Sequence, residues 1–326
     1  MLTIDEPALE SWLQVCRDLG ISLEGTENLM RRSGSGTVSL ESFVALLEMT
    51  AGRLDGEPLG WIAGERFDYQ QLGEVGRAIL SSSTLNSALQ RFASYFALVQ
   101  DAAEFDIRIV EGTASVCYRI LAPEIWPRQH DALFTLSILG QLLRRARGFN
   151  WSAVRITIEG EDVETAAQVR HRTGVPCASK GDINAIRFPA SALDLPMATH
   201  GEVIPPDYQE LNRSLARKRR AMSVELRVET EVYRLLGGDQ PDQERIAASL
   251  GMSTRTLRRR LAEANHSFKD IVYSCRMRQA AHEFRCRRHG SIANTALRLG
   301  YSEHSALTRA FRRWSGVSPN AYLHHG

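Results

Sequence analysis

The sequence predicts an α+β N-terminal domain followed by an all-α domain, in which two helix-turn-helix units are joined by a long linker helix. Three observations carry this expectation. Apolar residues keep a helical period to residue 96, alternate with period two over 105–121, and return to the helical period over 129–147, so helices and a hairpin share one domain. A Leu-Gly turn followed by a basic amphipathic helix occurs twice, with Gly251 and Gly300 49 residues apart. Charge divides along the same line: from Asp207 onward 22 Lys/Arg stand against 12 Asp/Glu, whereas the first 206 residues hold 18 against 26.

Within the first domain, residues 5–54 read as helices, since Trp12, Val15, Cys16 and Leu19, and later Phe43, Leu46 and Leu47, keep helical spacing. Residues 55–64, broken by glycine and proline, read as a connection. Ser83 and Thr84 are placed to cap a helix carrying Leu85, Ala88, Leu89, Phe92, Tyr95 and Phe96. Residues 105–110 and 114–121 alternate as strands joined at Glu111-Gly112. A long helix over 129–147, a strand over 154–158, a helix over 166–171 and a last short strand over 185–188 complete the domain. Its expected extent is 1–206, with a basic linker over 207–222.

Composition excludes several classes. The 326 residues are 43% hydrophobic and 24% charged, ordinary for a globular protein. No run approaches the roughly 18 apolar residues of a membrane span, and the N-terminus, MLTIDEPALESW, lacks the apolar core of a signal peptide. Five cysteines, odd in number and never in a C-x-x-C pair, point to a reducing cytoplasm. No nucleophile elbow, metal-binding H-E-x-x-H, phosphate loop or dinucleotide fingerprint is present. His130 with Asp131, and His171 with Cys177, lack the further partners that chemistry or a metal needs. They read as surface histidines, and Arg144, Arg145 and Arg147 as a basic helix C-terminus. No catalytic residue, cofactor, metal or membrane contact is expected, and the chain is not expected to be an enzyme.

The second domain, 223–326, carries the stronger signal. ASLGMSTRTLRRRL and LRLGYSEHSALTRAF each place a glycine turn before a helix with two core residues four apart, Leu257/Leu261 and Leu307/Phe311. Gly300 suits a turn needing positive φ. Leu307, Ala310, Phe311 and Trp314 form one expected buried stripe, leaving arginines outside. Residues 267–286 read as one helix that spaces the two units. Two basic recognition helices can then reach successive major grooves, roughly 34 Å apart on one face of B-DNA. Arg213 and Arg217, four apart on a basic helix, are candidates for holding an anionic effector.

At Ile292–Tyr322, IANTALRLGYSEHSALTRAFRRWSGVSPNAY, with Gly300, Phe311, Gly316, Ser318 and Pro319, the chain resembles the DNA-binding domain of AraC/XylS-type transcription regulators. Ala306-Leu307 departs from the aromatic found there in many members, an apolar change expected to alter core packing. Residues 1–206 are similar, more loosely, to the arabinose-binding-type effector domain of one branch, through GRAILSSSTLNSALQRFASY and the Arg-Phe-Pro before Ala190. The resemblance implies that Arg255, Arg258 and Arg259 of the first recognition helix, and His304, Ser305 and Arg309 of the second, face DNA. It also implies promoter DNA and a small-molecule effector as partners, contact with RNA polymerase, activation as the commoner output, and homodimerisation as an alternative role for the first domain.

Overall fold

The computed structural model describes residues 2–34, 36–181, 183–198, 205–236, 238–286 and 291–325. The chain forms two compact units, one of Met1–Ile120 with Pro127–Ala216 and one of Leu121–Trp126 with Arg217–Gly326.

In the first unit, β1 (Thr3–Asp5) pairs antiparallel with β2 (Thr37–Ser39), around α1 (Glu6–Asp18) and before α2 (Leu40–Ala51). Three-residue strands leave too short an alternation to be read from sequence. There follow α3 (Leu59–Glu65), α4 (Glu74–Leu80) and α5 (Leu85–Tyr95). Thr84 caps α5 as expected, its side chain accepting from the Ser87 N–H at 3.2 Å in a reciprocal capping box. The hairpin is also as predicted. β3 (Ala103–Val110) and β4 (Thr113–Ile120) pair over eight registered positions, turning through Glu111 and Gly112 at φ +48° and +74°. Then come α6 (Gln129–Arg144), β5 (Arg155–Glu159), α7 (Val163–Thr173), β6 (Cys177–Gly181) and β7 (Asn184–Pro189). The strands order as β3-β4-β7-β5-β6, antiparallel except β5–β6, which α7 connects in parallel. The unit is α+β, as expected; β6 is an addition, its CASKG carrying too little apolar alternation to signal a strand.

The expected connection over 55–64 is a correction, because α3 occupies most of it. Glycine serves here for close approach. A Cβ on Gly60 would lie 2.4 Å from the His130 carbonyl oxygen, and one on Gly64 2.4 Å from Ser137 Cβ, both on α6. Helix α6 is buried all round from Asp131 to Gly140, which a helix at the centre of a unit requires. Phe134 meets Trp12 and Phe67 edge-on, at 6.0 and 5.7 Å between centroids, and the Tyr69 hydroxyl donates to the Ile138 carbonyl at 2.7 Å.

The start of α6 is capped from another helix. Its N-cap, Arg128, makes no side-chain cap, and instead Glu48 of α2 accepts the His130 N–H at 2.7 Å. Burial pushes the Glu48 carboxyl up to about 7, outweighing the backbone N–H groups of His130 and Gln129 that pull it down. His130 is not the expected surface histidine. It is half-buried, its Nδ1 accepts the Gly60 N–H at 3.3 Å, and burial pushes its pKa down to about 4. A carboxyl raised in the folded state stabilises below its ordinary value of 4.5 and loses that contribution as pH rises through about 7. Glu48→Gln, which keeps the acceptor without the charge, is expected to stabilise the protein by on the order of 2 kcal/mol at pH 8 and to change little at pH 4.5. Thermal unfolding of both chains at the two pH values checks this; equal gains at both would contradict a titrating Glu48.

The second unit contains the helices α9 (Val224–Leu235), α10 (Gln243–Ser249), α11 (Thr254–Glu263), α12 (Phe268–Arg285), α13 (Ile292–Arg298), α14 (His304–Ser315) and α15 (Pro319–His325). The division between the units falls within α8 (Tyr208–Ala221), between Ala216 and Arg217, in the basic segment expected as a linker. Ser253, Ser267 and Ser291 cap α11, α12 and α13 through the N–H of Thr256, Asp270 and Asn294.

Candidate functional site

Two helix-turn-helix pairs are present, α10–α11 and α13–α14. The turns pass through Gly251 at φ +68° and Gly300 at φ +80°, the left-handed backbone for which glycine was expected. Leu257 and Leu261 of α11, and Leu307 and Phe311 of α14, are each at most 1% exposed, so all four expected core residues are in place. Around Phe311 the rings of Phe284 and Tyr322 pack edge-on at 5.1 and 5.3 Å. Two residues of the expected stripe are corrections: Ala310 is only half-buried, and Trp314, one residue before α14 ends, is 40% exposed with its ring 5.7 Å from that of Phe311.

With those cores fixed, the outward faces follow. Arg255, Arg258 and Arg259 are exposed on α11, and Arg309 and His304 on α14. Ser305 is half-buried, its Oγ 3.5 Å from Arg309 Nη1, and Glu303 stands 3.7 Å from Arg309 Nη2. Arg258 Nε donates to Gln243 Oε1 of α10 at 3.1 Å, while Arg259 pairs with Glu263 one turn on at 2.8 Å. Arg255 makes no hydrogen bond or ion pair among the described residues. An arginine free at its tip can reach a base edge with both nitrogens, and one already paired with a carboxylate is partly neutralised. Thr254 begins α11 behind its true cap, Ser253, and Glu303 caps α14 without a side-chain bond.

The two pairs are fixed to each other by contacts that no sequence pattern announces. Gln240, in the loop before α10, accepts from Arg276 Nη2 of α12 at 2.6 Å and lies against Gly300, where a Cβ would come within 2.2 Å of it. The Arg276 guanidinium also sits 5.7 Å from the Tyr301 ring centroid. Arg298 Nη2 pairs with Glu283, fully buried on α12, at 3.4 Å. Helix α12, 18 residues and therefore about 27 Å long, thus carries both helix-turn-helix pairs.

In the first unit a small cavity, of about 20 Å³, opens among Phe67, Phe92, Phe96 and Phe134, with Gln100 and Thr135 as its polar lining. That is room for about one water. Gln100 Nε2 donates to the Tyr118 hydroxyl at 2.8 Å, which donates to Asp131 at 2.8 Å. Burial pushes Asp131 up to about 6, against that hydroxyl and Arg128. The expected anion candidates, Arg213 and Arg217, are both exposed on α8, with Arg213 donating to Gln209 at 3.3 Å. Arg144 lies 3.5 Å over the Trp151 ring, a packing role. No helix among the described residues is long and apolar enough to cross a membrane.

Family models match both parts of the chain. Residues 13–197 match the family model described as the arabinose-binding domain of AraC transcription regulators, and residues 246–325 match a helix-turn-helix domain. The chain is 26% identical over 327 residues to the ornithine utilization regulator of Pseudomonas aeruginosa, covering 96% of this chain and 94% of that one. It is 26% identical over 310 residues to the HTH-type transcriptional regulator VirS of Mycobacterium tuberculosis, covering 89% and 85%. The crystal structure of the transcriptional regulator CdpR from Pseudomonas aeruginosa aligns over 98% of both chains, at 22% identity and a TM-score of 0.48. The protein therefore belongs to the AraC transcription regulators, a DNA-binding helix-turn-helix protein with an N-terminal ligand-binding domain, and is a regulator rather than an enzyme.

Proposed function

We propose that the protein is a cytoplasmic, effector-controlled transcriptional activator that reads two adjacent major-groove segments of promoter DNA. The observation that carries this is the pair of basic outer faces, each set by a buried pair behind it, Leu257 with Leu261 and Leu307 with Phe311. Arg255 and Arg258 contact base edges, where a bidentate arginine–guanine pair gives roughly 1–3 kcal/mol of discrimination. Arg259 and Arg309, already facing Glu263 and Glu303, contact phosphates, and His304 and Ser305 contribute less. The α+β domain, bounded at residue 206 and followed by a linker to 222, holds the effector. Effector binding shifts the populations of two states that differ in promoter affinity or in contact with RNA polymerase.

Selection from randomised duplexes by the full chain tests the two-helix reading. Enriched duplexes are expected to hold two sequence blocks centred about 10 base pairs apart. A single block, or none, sinks it. Two places are candidates for the effector: Arg213 and Arg217 on α8, for an anion, and the cavity among Phe67, Phe92, Phe96 and Phe134, which would have to open to admit a ligand larger than water. A ligand at 100 times its dissociation constant raises the stability of the state it binds by about 2.7 kcal/mol. Thermal unfolding against a metabolite and nucleotide panel is expected to yield a stabilising compound whose effect Gln100→Ala weakens. Weakening by Arg213→Ala with Arg217→Ala, and not by Gln100→Ala, would move the effector to α8.

A further inference from the structure

Helix α8 closes on Arg217, Lys218, Arg219 and Arg220, and with Arg213 these are the only charged residues between 211 and 224. Local forces account for part of the pattern. The negative end of a helix favours cations in its last turn, but that gain is screened by salt and does not extend beyond the turn. Against it, Arg213, Arg217 and Arg220 stand at i, i+4 and i+7, which brings like charges together on one face. Arg219 and Arg220 are exposed and make no hydrogen bond or ion pair among the described residues. Four adjacent cations with no carboxylate beside them are more than the helix needs, and they suit a polyanion.

These four residues belong to the DNA-binding unit, which takes up the chain again at Arg217. Ser223 caps α9 by accepting the Leu226 N–H at 3.2 Å, so only Ala221 and Met222 separate the cations from that cap. Helix α9 is in turn fastened to the first helix-turn-helix pair. Arg227 Nη2 donates to the Leu250 carbonyl at the end of α10 at 3.2 Å, and Glu225 stands 3.1 Å from His266 Nε2, just past the end of α11. Five residues of fully extended chain span at most about 18 Å, so Arg220 stays within that distance of Glu225. The cations therefore accompany α11 to the duplex, where the backbone carries one negative charge per roughly 1.7 Å of helix axis.

We propose that residues 217–220 form a third DNA contact, gripping backbone phosphates on the flank beside the block read by α11. The contact carries no sequence information; it raises affinity and encounter rate and lengthens the footprint beyond the two reading helices. The full chain with Arg219→Ala and Arg220→Ala together tests it. Binding to the selected duplex and to a scrambled one is expected to weaken by the same factor, about tenfold, and the slope of log affinity against log salt to fall by about two. The scrambled duplex gives that slope by itself, so this readout does not depend on the two-block reading. A second readout is the flank. Adding about one helical turn of duplex outside the block that Arg258→Ala relaxes is expected to tighten binding of the wild type several-fold and of the variant not at all. The same addition outside the other block is expected to affect both chains alike. Both substituted side chains are exposed, and unchanged thermal unfolding of the variant confirms that the fold is retained. An unchanged salt slope, a wild-type chain indifferent to both flanks, or a variant that keeps the gain from the flank would each overturn the proposal. So would a variant that binds DNA like the wild type but is no longer stabilised by an anionic compound of the panel, which would give the segment to the effector.

Discussion

Arg258→Ala is expected to weaken binding of the full chain to its preferred duplex by about tenfold, within the roughly 1–3 kcal/mol of one bidentate base contact, and to relax preference at one base position. The expectation rests on packing. Leu257 and Leu261 are sealed in the core, which turns Arg255 and Arg258 outward, and Gln243 steadies the Arg258 guanidinium at 3.1 Å without neutralising it. Arg259→Ala should behave differently, because its guanidinium shares charge with Glu263 at 2.8 Å. A smaller loss is expected, uniform across sequences, with the salt dependence lowered by about one counterion. Fluorescence anisotropy on the selected duplex and on single-base variants separates the two outcomes. A loss at Arg258→Ala that is even across all sequences would reassign that arginine to phosphate.

Gly64→Val is expected to unfold the first unit or to lower its stability by several kcal/mol. A Cβ at Gly64 would already lie 2.4 Å from Ser137 Cβ and 2.5 Å from the Phe134 carbonyl oxygen, and backbone cannot step aside as a side-chain tip can. The Ser137 hydroxyl is itself committed to the Trp61 carbonyl at 2.7 Å, so α3 and α6 would have to separate. Overpacking by a methyl group typically costs about 1–3 kcal/mol, and a branched side chain exceeds that. Gly64→Ala should fall in the lower range, offset in part by the roughly 1 kcal/mol by which alanine favours a helix over glycine. Gly52→Ala, whose Cβ would meet nothing closer than 3.8 Å, should leave the melting temperature almost unchanged. Calorimetry of the three variants checks the ordering, and a tolerated valine at position 64 would contradict the close crossing.

The same glycines show where the sequence is hard to read. Gly60 and Gly64 beside Pro58 look like punctuation for a loop, because the reason for them lies on α6, about 70 residues away. Local signals were legible where the whole determinant is local: the Thr84 capping box, the positive-φ turn at Glu111-Gly112, and the glycine turns at 251 and 300. The outward arginines of α11 could be read because two leucines four apart fix a helix's orientation. Tertiary determinants left no trace. The Glu48 cap on α6 and the Gln240–Arg276 bridge each join segments more than 30 residues apart through single polar side chains. His130 was misread for the same reason, since its burial comes from α2 and α3. Trp314 was misread because a periodic stripe does not reveal where its packing partner ends.

The central claim is that the second unit reads DNA sequence through two basic helices, and one titration addresses it directly. Binding of the full chain to the selected duplex and to a scrambled duplex of equal composition would be measured across a range of salt. The expected result is a steep fall of affinity with salt on both duplexes, and a preference for the selected one of about a thousandfold or more that persists as salt rises. Equal affinity for the two duplexes at every salt concentration would contradict the claim and leave the arginine faces of α11 and α14 as unspecific polyanion contacts.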